Sequence, residues 1–286
     1  MSYTPKRKQK LSVAIPASFV SDIPHLREKT LRIGQIGRSL AIFRVDEVII
    51  YPDQINRTQH DDLYLIRDIL SYMNTPQYLR KRFFKLRPEL SYVGILPPLR
   101  TPHHPLESRL EMMKVGEVRE GVVIQSIGEY SLIDVGLEEP VRIKENLPVD
   151  KRVTVKILEK GKRLLASLMK EEEIKIYWGY NVTASAMPLG KLMKSSSADL
   201  VIATSRDGVP AMNVIKEMRD AWEKSESVSV LFGSPNEGLR EILSRENFKV
   251  EDVAQFIVNT IPEQGTQTVR TEEALAATLS VFNVLI

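Results

Sequence analysis

Short apolar runs that each give way to a helix-patterned stretch dominate both ends of this chain, and this alternation most limits its possible folds. Leu11 to Ile15 is closed by Pro16, and Leu26, Ile33, Ile36 and Leu40 follow at helical spacing. Val45 to Tyr51 repeats the strand signal, after which Leu63, Ile66, Leu70 and Met73 mark a helix that stops before Asn74. Thr75-Pro76 then opens another helix, because proline is tolerated at the first helical position. Three more buried-strand runs, Leu200 to Ala203, Val228 to Phe232 and Phe256 to Asn259, each lead through a glycine-containing loop into a helix. These helices carry Val214, Met218, Ala221 and Trp222, then Leu239, Ile242 and Leu243, then Leu275, Leu279 and Phe282. Apolar strands alternating with helices predict an α/β fold with a mostly parallel sheet.

The middle of the chain breaks the pattern. Glu120 to Gln125, Tyr130 to Val135, Pro140 to Ile143, Arg152 to Leu158 and Arg163 to Leu168 are five strand-like runs without helices, separated by turn signals. Five short strands in so small a span fit an OB-like barrel, whose sheet face and loops commonly hold oligonucleotides. The expected organisation is an α/β domain from residues 1–110 and 171–286, with the barrel inserted at 111–170. The 286 residues suffice for both parts.

Cysteine is absent, which excludes disulfides, Cys-ligated metals and a Cys nucleophile. The formal charge of +3 conceals an asymmetry: residues 1–110 carry +8 and residues 171–286 carry −6. This points to an anionic partner met through the N-terminal part. Arg80-Lys81-Arg82-Phe83-Phe84-Lys85-Leu86-Arg87 sets five cations among two aromatics, and Lys6-Arg7-Lys8-Gln9-Lys10 adds a basic tail. Arg80, Lys81, Arg82, Lys85 and Arg87 are the expected RNA contacts; a solvated charged face over a Phe83/Phe84 core is the competing reading. His103 and His104 sit between prolines, but adjacent side chains seldom face one ion, so a rigid loop is expected and no metal. No apolar run is long enough to span a bilayer, so a cytoplasmic location without membrane contact is expected.

In an open α/β sheet, ligands sit beyond the carboxyl ends of the strands, so the three C-terminal loops should converge. They are Thr204-Ser205-Arg206-Asp207-Gly208, Gly233-Ser234-Pro235-Asn236-Glu237-Gly238-Leu239, and Ile261 to Arg270 (IPEQGTQTVR). Glycines there permit positive φ or close approach to a ligand. Neither a Walker A motif nor G-x-G-x-x-G is present. VLFGSPNEGL followed by NTIPEQGTQTVRTEEAL resembles the last two motifs of the SPOUT superfamily of S-adenosylmethionine-dependent RNA methyltransferases. VDEVIIY, LPPLRTPHHP and IATSRDG resemble its archaeal and eukaryotic branch with an OB-like insertion.

That resemblance implies a trefoil-knotted sheet, S-adenosylmethionine as cofactor, an rRNA or tRNA substrate and a homodimer. It implies that Gly233 and Gly238, with Asn259, Thr260, Ile261, Gln264, Gly265 and Thr266, hold the adenosine part. Thr204 joins the same pocket, and Leu239 and Ile261 supply apolar contact. Glu237 stands two residues later than the acid of ribose-methylating relatives, whose position is Pro235 here. Arg206 is the candidate anchor for the RNA phosphate or acceptor, because its planar fork of donors suits either. Asp207 and Glu237 are candidate bases, although each reads more readily as a cap or solvated side chain. Thr271 is read as the cap of the last helix, and Leu275, Leu279 and Phe282 as a dimer face. A non-catalytic RNA-binding or ribosome-assembly protein, or a scaffold with a vestigial pocket, is the alternative function. Charge reversal of Arg80 and Arg82 is expected to weaken RNA binding and flatten its salt dependence, measured by titration at several ionic strengths; unchanged affinity would refute the RNA contact.

Overall fold

The structure, a computed structural model, describes residues 4–54, 58–161 and 164–285. From the N-terminus, β1 (Lys10–Pro16), α1 (Leu26–Ile42), β2 (Glu47–Tyr51), α2 (His60–Asn74) and α3 (Gln77–Phe83) lead into five strands. These are β3 (Val118–Ile127), β4 (Tyr130–Asp134), β5 (Val141–Ile143), β6 (Arg152–Lys160) and β7 (Leu164–Leu168). The chain continues through β8 (Asn181–Ala184), α4 (Leu189–Ser195), β9 (Leu200–Pro210) and α5 (Ile215–Lys224). It closes with β10 (Ser227–Leu231), α6 (Leu239–Arg245), β11 (Phe256–Asn259) and α7 (Thr271–Leu285). Two compact units result: one from Arg7–Asn74, Arg87–Pro98 and the chain from Tyr180 onward, the other from Thr75–Leu86 and Leu99–Gly179 with the segment ending at Lys6.

The first unit is built on a six-stranded sheet of order β11-β9-β10-β1-β2-β8, with parallel pairing throughout. Its central strands are apolar on both faces because both are covered: Val13, Ala14, Ile15, Val230 and Leu231 are fully buried. Leu189 and Met193 of α4, with Leu239, Ile242 and Leu243 of α6, pack with Ala14, Val201, Ala203 and Leu231. The second unit contains a closed barrel of order β3-β4-β5-β7-β6, antiparallel except where β5 meets β7. Val123, Ile133, Val141, Val155 and Ile157 fill it. The Tyr78 hydroxyl of α3 donates to the Glu120 carbonyl at 2.7 Å. A Cβ at Gly136, whose φ is +73°, would fall 2.4 Å from the Tyr78 ring.

The mixed α/β architecture, parallel sheet and five-stranded barrel match the pattern of apolar runs. Arg163, expected to start the last barrel strand, lies outside the described residues. The sequence reading lacked β8 and α4. The edge strand, Asn-Val-Thr-Ala, is never fully buried, so it has no apolar run to betray it. The expected dimer face is also corrected: Leu275, Leu279 and Phe282 are at most 3% exposed because they pack inside the chain, Phe282 edge-on to Trp222.

The largest departure is in β9, expected to end at Ala203 but extending to Pro210. Ile257 of β11 pairs with Ala203, whereas the next residue, Val258, pairs with Val209. Residues 204–208 are therefore extruded from the ladder as one long bulge. Gly208 closes it against β11: a Cβ there would lie 2.6 Å from the Val258 carbonyl carbon and 2.9 Å from the Ile257 oxygen. Because both obstacles are backbone, Gly208→Ala is expected to destabilise the fold by roughly 1–3 kcal/mol. Denaturant unfolding measures this, and an unchanged midpoint would show that β11 gives way freely.

Candidate functional site

The extruded segment of β9, the loop after β10 and the loop after β11 meet at the carboxyl ends of their strands and enclose a cavity of about 320 Å³. Of the residues singled out from the sequence, Thr204, Arg206, Gly233, Glu237, Gly238, Asn259, Thr260, Ile261 and Gln264 line it. Leu239 does not: it is 1% exposed and belongs to the core beneath. Gly265 and Thr266 lie on the same loop, are exposed, and are outside the lining. Arg240 and Glu241 of α6 also stand in the wall, which Ala274 and Thr278 of α7, likewise unforeseen in the sequence, complete. The signal for the α7 pair was the spacing of Thr271, Ala274 and Thr278, which puts three small side chains on one helical stripe.

Side-chain hydrogen bonds fasten the loops to one another. Thr204 Oγ1 donates to the Leu231 carbonyl at 2.8 Å. Asn259 bridges two loops, with Nδ2 donating to the Arg206 carbonyl at 2.8 Å and Oδ1 accepting from the Ile261 N–H at 2.9 Å. The Thr260 and Thr278 hydroxyls are 2.8 Å apart. Within the third loop, Gln264 Nε2 donates to the Thr266 carbonyl at 2.8 Å. Glu263 takes φ +57°, left-handed and uncommon for a residue with a side chain. The pocket glycines Gly208, Gly233, Gly238 and Gly265 avoid positive φ, so close approach is what the first of them supplies.

Arg206 extends with 62% of its side chain exposed, Nη1 donating to the Gln267 carbonyl at 3.2 Å and Nε 3.7 Å from an Asp207 carboxylate oxygen. It projects from β9, not from a helix. Glu237 is paired through both carboxylate oxygens with Arg245. Thr271 does not cap α7 as expected: its hydroxyl donates to the Gly233 carbonyl at 3.3 Å, while the Arg270 N–H donates to Glu273 Oε2 at 2.9 Å.

In the proposed RNA run, several cations already have internal partners. Arg80 Nε donates to the Thr75 carbonyl at 2.9 Å, and Arg82 pairs with Asp150 at 2.7 Å. Arg87 pairs with Asp68 at 2.8 Å. Reversal at Arg80 and Arg82 therefore also breaks fold contacts. Lys81 and Lys85, for which the described residues provide no hydrogen bond or ion pair, give the cleaner test of the same expectation. His103 and His104 are buried, their rings 4.2 Å apart edge to face, with Trp178 5.8 Å from His103. Among the described residues, no three His, Asp or Glu side chains are grouped to hold a metal ion, and no helix is long and apolar enough to cross a membrane.

Residues 10–282 match a family described as "Putative RNA methyltransferase". The chain belongs to that family. An uncharacterized protein of Halobacterium salinarum is 32% identical over 94% of this chain and 96% of its own length. The 28S rRNA (uridine-N(3))-methyltransferases of Mus musculus and Homo sapiens are 30% and 29% identical. Each match spans 96% of this chain, and 76% and 78% of the two relatives respectively. The loop motifs thus pointed to the correct family: this is an RNA methyltransferase, an enzyme that takes a methyl donor and an RNA substrate.

One titratable group is buried beside the site. Glu272, in the first turn of α7, is 7% exposed; Oε1 lies 3.2 Å from Arg32 Nε, and Oε2 has no hydrogen-bond partner. Burial raises its carboxyl above the usual range, and Arg32 offsets only part of this. A raised folded-state value favours the protonated form, so this contribution to stability is full below the unfolded carboxyl range and is lost as pH rises through the folded value. The melting temperature of wild type relative to Glu272→Gln should therefore fall as pH rises from about 4 to 7. A difference that grows with pH would contradict this.

Proposed function

We propose that this chain transfers a methyl group from S-adenosylmethionine to N3 of a uridine in large-subunit ribosomal RNA. The similarity to the 28S rRNA (uridine-N(3))-methyltransferases supports the acceptor, and the donor part of this reading is carried by the 320 Å³ cavity made by three converging loops. Its size falls at the lower end of small-molecule sites, about 300–1,000 Å³. The donor set fits an adenosine rather than a phosphate chain: the lining offers amides and hydroxyls, and its two arginines, Arg206 and Arg240, are outnumbered by the carboxylates of Asp207, Glu237 and Glu241. Gly233, Gly238, Asn259, Thr260, Ile261 and Gln264 would hold the donor, with Thr204 at its edge and Gly265 and Thr266 shaping the third loop from outside. Bound there, the cofactor supplies a methyl carbon already activated by a positively charged sulfur.

The chain's own part is alignment and control of charge. The uracil N3–H must lose its proton before N3 can attack, and the resulting negative charge spreads onto O2 and O4. Arg206 reaches past the rim with most of its guanidinium in solvent, and its planar donors suit an imide oxygen or the flanking phosphate. Asp207, beside it, is the carboxylate best placed to take the proton. Holding N3 in line with the methyl carbon supplies much of the rate.

The same reading assigns residues 1–110 and 171–286 to a SPOUT-type, trefoil-knotted methyltransferase domain. It assigns 111–170 to an OB-like RNA-binding barrel. The motif strings around Gly233 and Asn259 support the first, and the five-stranded closure supports the second. RNA contact runs through Arg80, Lys81, Arg82, Lys85 and Arg87. A homodimer and a cytoplasmic site of action complete the reading; the dimer must use residues other than Leu275, Leu279 and Phe282, which are covered within the chain. Purified protein with S-adenosylmethionine and unmodified large-subunit rRNA is expected to yield 3-methyluridine by nucleoside mass spectrometry. Arg206→Ala should lower the yield rate at least about tenfold, the loss of one charged transition-state contact. Methylation of another atom, or of none, would overturn the assignment.

A further inference from the structure

The turn between Gly233 and Gly238 forms one wall of the cavity, and its shape depends on groups outside it. Tyr51 Oη donates to the Phe232 carbonyl at 2.6 Å, just before the turn. Within the turn, the Ser234 N–H donates to the Glu237 carbonyl at 2.9 Å and the Glu237 N–H to Ser234 Oγ at 3.0 Å. Besides the Thr271 hydroxyl on the Gly233 carbonyl, a further external tie runs through Glu237. Arg245, at the end of α6, donates from Nη1 to Glu237 Oε1 at 3.1 Å and pairs through Nη2 with Oε2. The same Nη2 donates to the Asp53 carbonyl at 3.2 Å.

Asp53 is a firm anchor. It is 2% exposed, and its carboxylate accepts from the Ser18 N–H at 3.1 Å, from Ser18 Oγ at 2.5 Å and from Gln59 Nε2 at 2.9 Å. Its own N–H donates to Gln59 Oε1 at 2.9 Å. One guanidinium therefore ties a pocket turn after β10 to a buried polar network at the ends of β1 and β2. A second tie leaves the same end of α6: Glu246 Oε2 accepts from the Gly190 N–H at 2.7 Å, at the start of α4.

We propose that Arg245 is a positioning residue for methyl transfer, acting through Glu237 to hold the Gly233–Gly238 turn in its donor-binding shape. Glu237, with both oxygens on Arg245, belongs to this clamp and is not the proton acceptor. An exposed ion pair adds little to global stability, and this one is partly exposed, so its consequence is local. Without it, the turn must be ordered at the expense of donor binding. A guanidinium serves both partners at once through its fork, whereas an ammonium is a point donor.

This inference rests on the donor reading above, and the test separates the two. S-adenosylhomocysteine is titrated calorimetrically into wild type, Arg245→Ala, Glu237→Ala, the double variant and Arg245→Lys. Hydrogen exchange of residues 233–238 is followed in the ligand-free proteins. Each alanine variant is expected to weaken binding about tenfold, ~1.4 kcal/mol, and to speed exchange in the turn, with melting temperature nearly unchanged. The double variant should be no worse than either single one, because both cut the same tie. Arg245→Lys should fall between wild type and Arg245→Ala, and it carries the test if the alanine variant fails to fold. The pH profile of kcat should keep its shape in Glu237→Ala. Wild type that binds no S-adenosylhomocysteine overturns the donor reading and this inference with it. Normal wild-type binding with variants of unchanged affinity and exchange overturns the clamp alone. So does a Glu237→Ala variant that binds normally but loses kcat together with its pH dependence, which would make Glu237 the base.

Discussion

The parallel pairing of β9 with β11 governs the rest of the unit built on the six-stranded sheet, because the ladder is kept on both sides of an extruded segment. Ala203 and Val209 both pair, yet the residues they face on β11 are adjacent. The five residues between them have nowhere to go but outward, at the carboxyl edge of the sheet. Such an excursion requires backbone to pass against backbone, which Gly208 permits. Arg206 and Asp207 owe their exposure to it, and the Arg206 carbonyl becomes the acceptor through which Asn259 ties the first loop to the third. The site is thus a consequence of how one strand is accommodated in the sheet.

How far the sequence revealed this depends on whether a feature is written in local pattern or in distant partnership. Buried strands of a parallel sheet are continuous apolar runs, so Leu11 to Ile15, Val228 to Phe232 and Phe256 to Asn259 were legible. The barrel strands were legible from alternation and turn residues. The continuation of β9 was not, because Thr-Ser-Arg-Asp-Gly has the composition of a loop and only the pairing of Val209 with Val258 makes it part of a strand. The edge strand β8 escaped for the opposite reason: it pairs well but buries little. Leu275, Leu279 and Phe282 were correctly seen as an apolar face, but periodicity says that a face is covered, not by what.

The candidate site shows the same division. Glycines and amides near strand ends marked most of the wall, whereas side-chain roles set by partners far along the chain were invisible. Glu237 looked like a free acid because its partner lies eight residues on, across a helix, and its anchor at Asp53 lies far upstream. Thr271 carried every local mark of a helix cap, but the Gly233 carbonyl offered its hydroxyl a tertiary alternative. Among the cations of residues 80–87, formal charge overstated what is available: Arg80, Arg82 and Arg87 already share donors with partners within the chain.

A consistent logic joins these corrections. The pocket is walled largely by loops, whose main-chain donors and acceptors must be left free if they are to meet a ligand. Main chain that is not in a ladder loses its usual source of order. Here the missing order comes from the side chains of Thr204, Asn259, Thr260, Thr271 and Thr278, which fasten selected carbonyls or each other. Tyr51 and Arg245 do so from outside the loops. Hydroxyls and amides suit this task because they satisfy a neighbour without adding charge to the site. Charged side chains line the wall as well, Asp207, Arg240 and Glu241 among them; Arg206 stays largely in solvent, and at the outer end of α6 Arg245 neutralises Glu237. Pairing with Arg245 thus neutralises one carboxylate of the wall and gains a tether in the same contact.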